Sequence, residues 1–131
     1  MVKKQELPAC PVATTVQLIG NKWKLLILRN LLGRPWRFGE LQRDLEGISQ
    51  KVLTDCLRSM EADGIVTRTV FPEVPPRVEY ALSALGESMR PILDSMEQWG
   101  AGYQKLAGSE GVSLSAESDQ RALPSGHPRT L

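Results

Sequence analysis

A chain of 131 residues that is 41% hydrophobic holds enough apolar material for one modest core and little for a second. Its formal charge of +1 is unlike that of proteins that coat nucleic acid, although a locally basic face is compatible with it. Cys10 and Cys56 are the only cysteines, which excludes a CxxC motif or a disulfide scaffold, and no apolar run approaches the roughly 20 residues that span a bilayer. With no signal-peptide core at the N-terminus, these features predict a soluble cytoplasmic protein with no membrane partner, organised as a domain over 1–107 and a tail over 108–131.

Pro11 suits the first turn of a helix in which Val12, Val16 and Ile19 share one side, with Gly20 and Asn21 as its stop. A second helix, Lys22 to about Leu32, carries Trp23, Leu25, Leu26, Ile27, Leu28, Leu31 and Leu32. So few polar positions predict a central, mostly buried element, ended by Gly33 and Pro35. Arg37 and Phe38 read as a short strand. A third helix runs from Gly39 to Asp44 or Leu45, followed by a tight turn at Gly47. A fourth opens at the N-cap Ser49 and stops at Asp63-Gly64; Val52, Leu53, Cys56, Leu57 and Met60 form its apolar stripe.

The periodicity then changes. Ile65–Phe71 is rich in β-branched residues, Pro72, Pro75 and Pro76 stiffen a connection, and Arg77–Leu82 alternates with Val78, Tyr80 and Leu82 on one face, so the two segments predict a β-hairpin. Ser83 caps a last helix to about Leu106, along which Leu85, Met89, Ile92, Leu93, Met96, Trp99, Tyr103 and Leu106 recur in steps of three and four. Pro91 inside it predicts a kink or local break. Gly108–Leu131 is Gly, Ser, Pro and charge, the composition of a disordered tail.

The expected fold is therefore mainly α with a small β-hairpin, an α+β winged helix-turn-helix. With the stripe of the fourth helix turned inward, Lys51, Thr54 and Arg58 point outward, Gln50 lies at the margin, and Ser49 stands at the helix N-terminal amides. Gln, Lys and Thr are groups that reach base edges or phosphates. A polar outer face is ordinary for a surface helix. Here the preceding helix, the short turn and the excess of cations between Lys22 and Arg58 favour double-stranded DNA as the partner. The segment Ala84–Gln120, with Glu87, Asp94, Glu97, Glu110, Glu117 and Asp119 against Arg90 and Lys105, is acidic. In the wing, the prolines either serve stability alone or hold Arg77 on a rigid finger able to contact backbone or minor groove.

The segments CPVATTVQLIGNKWKLLILRNL, RFGELQRDLEGISQKVLTDCLRSMEADGIV, FPEVPPRVEYALSALG and PILDSMEQWG, between Cys10 and Tyr103, resemble the HxlR-type transcriptional regulators, relatives of the MarR group. The resemblance implies a dimeric winged helix that represses or activates genes, dimerised through its N- and C-terminal helices. It places Ser49, Gln50, Lys51 and Thr54 on the recognition helix and Arg77 at the wing. Some members of that family use the cysteine matching Cys10 to sense oxidants or electrophiles.

The last helix bears more apolar surface than one wall of a small core needs, which favours a homodimer interface of Val12, Val16, Ile19, Leu93, Met96, Trp99 and Tyr103 over a purely internal role. A two-fold dimer predicts a palindromic operator. Cys10, beside helix N-terminal amides that favour a thiolate, is read evenly as a redox-sensing residue or as an inert small one, while Cys56 on the apolar stripe is read as packing. An oxidant or a small molecule is the kind of effector these features admit. Trp23, Trp36 and Trp99 are read as structural in preference to a ligand pocket.

Enzymatic chemistry is not expected. His127, the single histidine, falls in the tail, and neither a catalytic base, a phosphate-cradling loop, a cofactor fingerprint nor a set of metal ligands is recognisable. The competing reading is a winged-helix module that binds protein rather than DNA. Retention of Lys51, Arg58 and Arg77 weighs against it.

Overall fold

The computed structural model describes residues 7–110, and the chain divides into two units, Met1–Leu93 and Asp94–Leu131. In the first, α1 (Pro11–Ile19) opens with proline in its first turn, and α2 (Lys22–Leu31) is capped by Asn21, whose side chain accepts the Lys24 N–H at 2.8 Å. A short strand β1 (Trp36–Arg37) leads into α3 (Phe38–Asp44). The strand expected at Arg37-Phe38 is thus shifted by one residue. Phe38 joins the helix because the carboxylate of Glu40 reaches back to the Arg37 N–H at 2.9 Å and fixes the helix start there.

The turn through Gly47 joins α3 to α4 (Gln50–Ala62), and a hairpin of β2 (Val66–Phe71) and β3 (Arg77–Leu82) follows. Strand β3 also pairs with β1, giving an antiparallel sheet in the order β1-β3-β2 rather than a hairpin alone. Trp36 stands opposite Tyr80 and Arg37 opposite Glu79, while Phe71–Arg77 is the last pair before the proline-rich connection.

Ser83 caps a four-residue helix α5 (Ala84–Glu87), not the long helix its position suggested. The chain turns at Ser88 and Met89 before α6 (Arg90–Glu110), in which Pro91 occupies the second position. A proline lacks the N–H that an interior helical position must donate, but costs nothing in a first turn, so the break falls just ahead of it. Helix α6 extends past Leu106 through Gly108 to Glu110, into the segment expected to be tail. Residues 111–131 lie outside the described part. No helix among the described residues is long and apolar enough to cross a membrane.

The core of the first unit is built where α2, α3 and α4 meet the sheet. Ile27, Leu28, Leu41, Leu45, Leu53, Leu57, Met60 and Ile65 are completely buried, and Trp23, Trp36, Tyr80 and Leu93 pack against them. Burying a large aliphatic side chain is worth about 1.5–3 kcal/mol, so this cluster carries most of the stability. One polar residue lies inside. Asn30 of α2 donates to Asp44 at the end of α3 at 2.8 Å, its side-chain carbonyl accepts from Arg29, and its backbone carbonyl accepts the Trp36 indole N–H at 3.0 Å. Asn30 thereby ties α2 to both α3 and β1, and Trp36 has a structural task.

Helix α4 ends where the last segments of the unit begin. The N–H of Ser83 donates to the Ile65 carbonyl at 3.0 Å, its hydroxyl reaches the Gly64 carbonyl, and the Gly86 N–H donates back to that hydroxyl at 3.1 Å. Gly86 packs so closely that a Cβ there would lie 2.4 Å from the Ile65 carbonyl oxygen. The obstacle is backbone and cannot swing away. Gly86→Ala is therefore expected to destabilise the fold by about 1–3 kcal/mol, read as a lowered thermal midpoint in a circular-dichroism melt. An unchanged midpoint would mean this junction is looser than described.

Candidate nucleic-acid interface

Gly47 has φ +93, a left-handed conformation that costs glycine little and other residues more, and the chain reverses there between α3 and α4. Ser49 is the N-cap of α4, its hydroxyl accepting the Val52 N–H at 3.1 Å. Behind α4, Leu53, Leu57 and Met60 are fully buried and Cys56 nearly so. Val52, placed on the same stripe by its spacing, instead stands partly in solvent, 37% exposed, between the buried Ile48 and Leu53. Lys24 of α2 donates to Ser59 at 2.8 Å and adds a polar tie between the two helices.

The opposite face of α4 is open. Gln50, Lys51 and Arg58 are exposed and Thr54 half-buried, and with Asp55 they line a shallow depression. Lys51 is paired with Asp55 at 2.8 Å, one helical turn on, but both side chains remain largely in solvent, where such a pair is worth only a few tenths of a kcal/mol. Arg58, together with Arg43 of α3 and Arg68 of β2, has no carboxylate partner among the described residues. The face combines exposed cations, hydroxyls and an amide on a helix whose rotation is fixed from behind.

The wing is different. Arg77 begins β3, and its guanidinium donates to Glu73 from Nε at 3.1 Å and Nη2 at 2.8 Å and to Glu79 from Nη1, while its central carbon lies 3.8 Å from the centre of the Phe71 ring. The hydrogen bonds from Arg77 hold the Glu73 carboxyl below the usual carboxylate range, and those to Glu73 push the guanidinium up from its own, so the group stays ionised at neutral pH. The tip beyond it, Pro72 to Pro76, is exposed, with Val74 entirely in solvent. The proline-rich connection forms an exposed hairpin tip, but Arg77 at its base is engaged with its own chain.

The remaining candidate positions separate. Cys10 is exposed at the N-cap of α1, where its carbonyl accepts the Thr14 N–H at 3.0 Å. Cys56 is buried, and burial pushes its thiol pKa up. On α1, Val12 and Val16 are exposed whereas Ile19 is buried in the core of its own unit, against which Leu93 also packs. In the second unit Met96 and Trp99 are exposed, and the Trp99 ring stacks on Tyr103 with centres 5.3 Å apart. No cluster of three or more metal-ligating side chains occurs among the described residues. The sequence shows Asp55 as the one acid between Lys51 and Arg58 on the α4 face, but sequence reasoning overlooked its pairing with Lys51 and the Glu73–Arg77–Glu79 group. The i,i+4 spacing of Lys51 with Asp55, and the shared strand face of Arg77 and Glu79, were the available signals.

Known proteins share this architecture. The family model of the HxlR-like helix-turn-helix matches residues 18–107. YkvN of Bacillus subtilis (strain 168), an uncharacterised HTH-type transcriptional regulator, is 44% identical over 103 residues, covering 79% of this chain and 87% of that protein. An uncharacterised HTH-type transcriptional regulator of Methanothermobacter thermautotrophicus is 47% identical over 94 residues, 72% of each chain. Among solved structures, the redox regulator HypR in its reduced form is 40% identical and superimposes with a TM-score of 0.72 over 76% of this chain and 99% of that one. With α3, the Gly47 turn, α4 and the β2–β3 wing all in place, the chain belongs to the HxlR-like helix-turn-helix family of transcriptional regulators.

Proposed function

We propose that the protein is a sequence-specific regulator of transcription, without enzymatic activity, that binds double-stranded DNA as a homodimer in the cytoplasm. The observation that carries this reading is the two-sided α4: fully buried Leu53, Leu57 and Met60 behind, exposed Gln50, Lys51 and Arg58 in front. Ser49, Gln50, Lys51, Thr54 and Arg58 face the major groove, and the wing carrying Arg77 lies beside the duplex. Cations without partners, such as Arg43 and Arg58, suit phosphates, and Gln50 and Lys51 suit base edges.

Self-association is supported by the apolar side chains each unit leaves in solvent, Val12 and Val16 on α1 and Met96 and Trp99 on α6, since monomers rarely expose such groups together. Ile19 lies in the core of the first unit and Leu93 packs against it, so the part either takes in self-association is indirect. A two-fold dimer reads a palindrome with half-sites about 10 base pairs, or a multiple of that, apart. A duplex selected from random DNA should be palindromic, and affinity for it should fall steeply as salt rises. Lys51→Ala should cost roughly 1–3 kcal/mol of that affinity, measured by fluorescence anisotropy. Failure to enrich any duplex, with the protein folded, would defeat the reading.

Redox regulator is the name HypR carries, and the exposed Cys10 is the thiol in this chain able to meet an oxidant, Cys56 being buried. We take Cys10 as the sensing residue and an oxidant or electrophile as the effector. Treating the wild-type protein with diamide should change its operator affinity, and Cys10→Ser should abolish that change while Cys56→Ser leaves it intact. A response that survives Cys10→Ser would remove the thiol from this role.

A further inference from the structure

We infer that Arg77 is a positioning residue of the wing: it locks the hairpin tip in one shape through Glu73, Glu79 and Phe71 rather than neutralising a DNA phosphate. Three of its five N–H groups are already donated to carboxylates, and the Phe71 ring covers one face of the guanidinium. Its side chain is only 23% exposed, against 82% for Lys51. The four residues span the tip: Phe71 closes β2, Glu73 sits in the connection, Arg77 faces Phe71 in the last cross-strand pair, and Glu79 follows on the same face of β3.

Charge balance points the same way. One cation bound by two carboxylates leaves the group with a net negative charge, tempered by Arg37, which stands opposite Glu79 on β1. A phosphate that took Arg77 would have to break three charge-assisted bonds, two of them to one oxygen of Glu73, and leave Glu73 and Glu79 facing a polyanion. Held in place, the same arginine cancels half of that negative charge and spares the duplex the cost of ordering a loose loop. The wing then meets DNA through the shape of its exposed tip, Pro72 to Pro76.

This inference rests on the DNA-binding reading above, and its test separates the two. Hydrogen exchange of the free, full-length protein is compared for wild type, Arg77→Lys and the double variant Glu73→Gln/Glu79→Gln. A lysine keeps the charge but cannot make the forked contact. Faster exchange at the amides of residues 71–79 in both variants, with the rest of the first unit unchanged, is the expected result; unaltered exchange in both would overturn the lock, whether or not DNA is bound. On the selected duplex, both variants should bind roughly three- to tenfold more weakly with the same slope of log affinity against log salt as wild type. A direct phosphate contact predicts the opposite pattern: Arg77→Lys near wild type, tighter binding by the Gln variant, and a slope reduced by about 0.9 in Arg77→Ala. Absence of wild-type binding to any duplex would sink the DNA-binding reading and leave the exchange result standing.

Discussion

The rotation of α4 about its own axis is the constraint on which the candidate interface depends. Leu53, Leu57 and Met60 are fully enclosed, and together their burial is worth on the order of 5–9 kcal/mol. The exposed Lys51–Asp55 pair contributes a few tenths. No rearrangement on the outside can compete with the inside, so the direction in which Gln50, Lys51, Thr54 and Arg58 point is decided by residues that never meet solvent. A helix presented in this way can meet a groove without first being ordered by it, which lowers the entropic cost of binding.

Polar contacts refine that frame. Asn30 links α2, α3 and β1 through two side-chain partners and one backbone acceptor, and Lys24 joins α2 to α4 through Ser59. Each is worth far less than the apolar core, about 1 kcal/mol, but each is directional. Helices that merely share apolar surface can slide over one another; helices with a buried amide between them have a fixed register. The arrangement of α3 relative to α4, the geometry that makes a helix-turn-helix, owes its definition to such pins.

Much of this was legible in the residues themselves. The glycine at position 47, the cap at Ser49 and the stripe behind α4 located the motif, because local chemistry and tertiary packing agree there. Departures occur where they do not. Val52 shares the helical spacing of the stripe, yet stands partly in solvent at the edge of the core. Phe38 has strand-like character, but the Glu40 carboxylate one turn on starts the helix at it. The pairing of β1 with β3 joins segments more than forty residues apart in the chain, a contact that no window of sequence reports. The engagement of Arg77 follows from cross-strand register and loop closure; the alternation of β3 places Glu79 on its face, but the bond to Glu73 depends on how the tip closes.

The Ile65 carbonyl has two neighbours, the Ser83 amide that bonds it and the Gly86 backbone pressed against it. That single peptide stands between the end of α4, where β2 begins, and the segment entering α6, so the two have no slack between them.

 A glycine hinge would ordinarily let neighbouring elements drift apart. Here the missing side chain does the reverse, since it brings two backbones close enough to behave as one joint. The spacing between the chain leading into α6 and the base of the wing is therefore set by a contact too tight to compress.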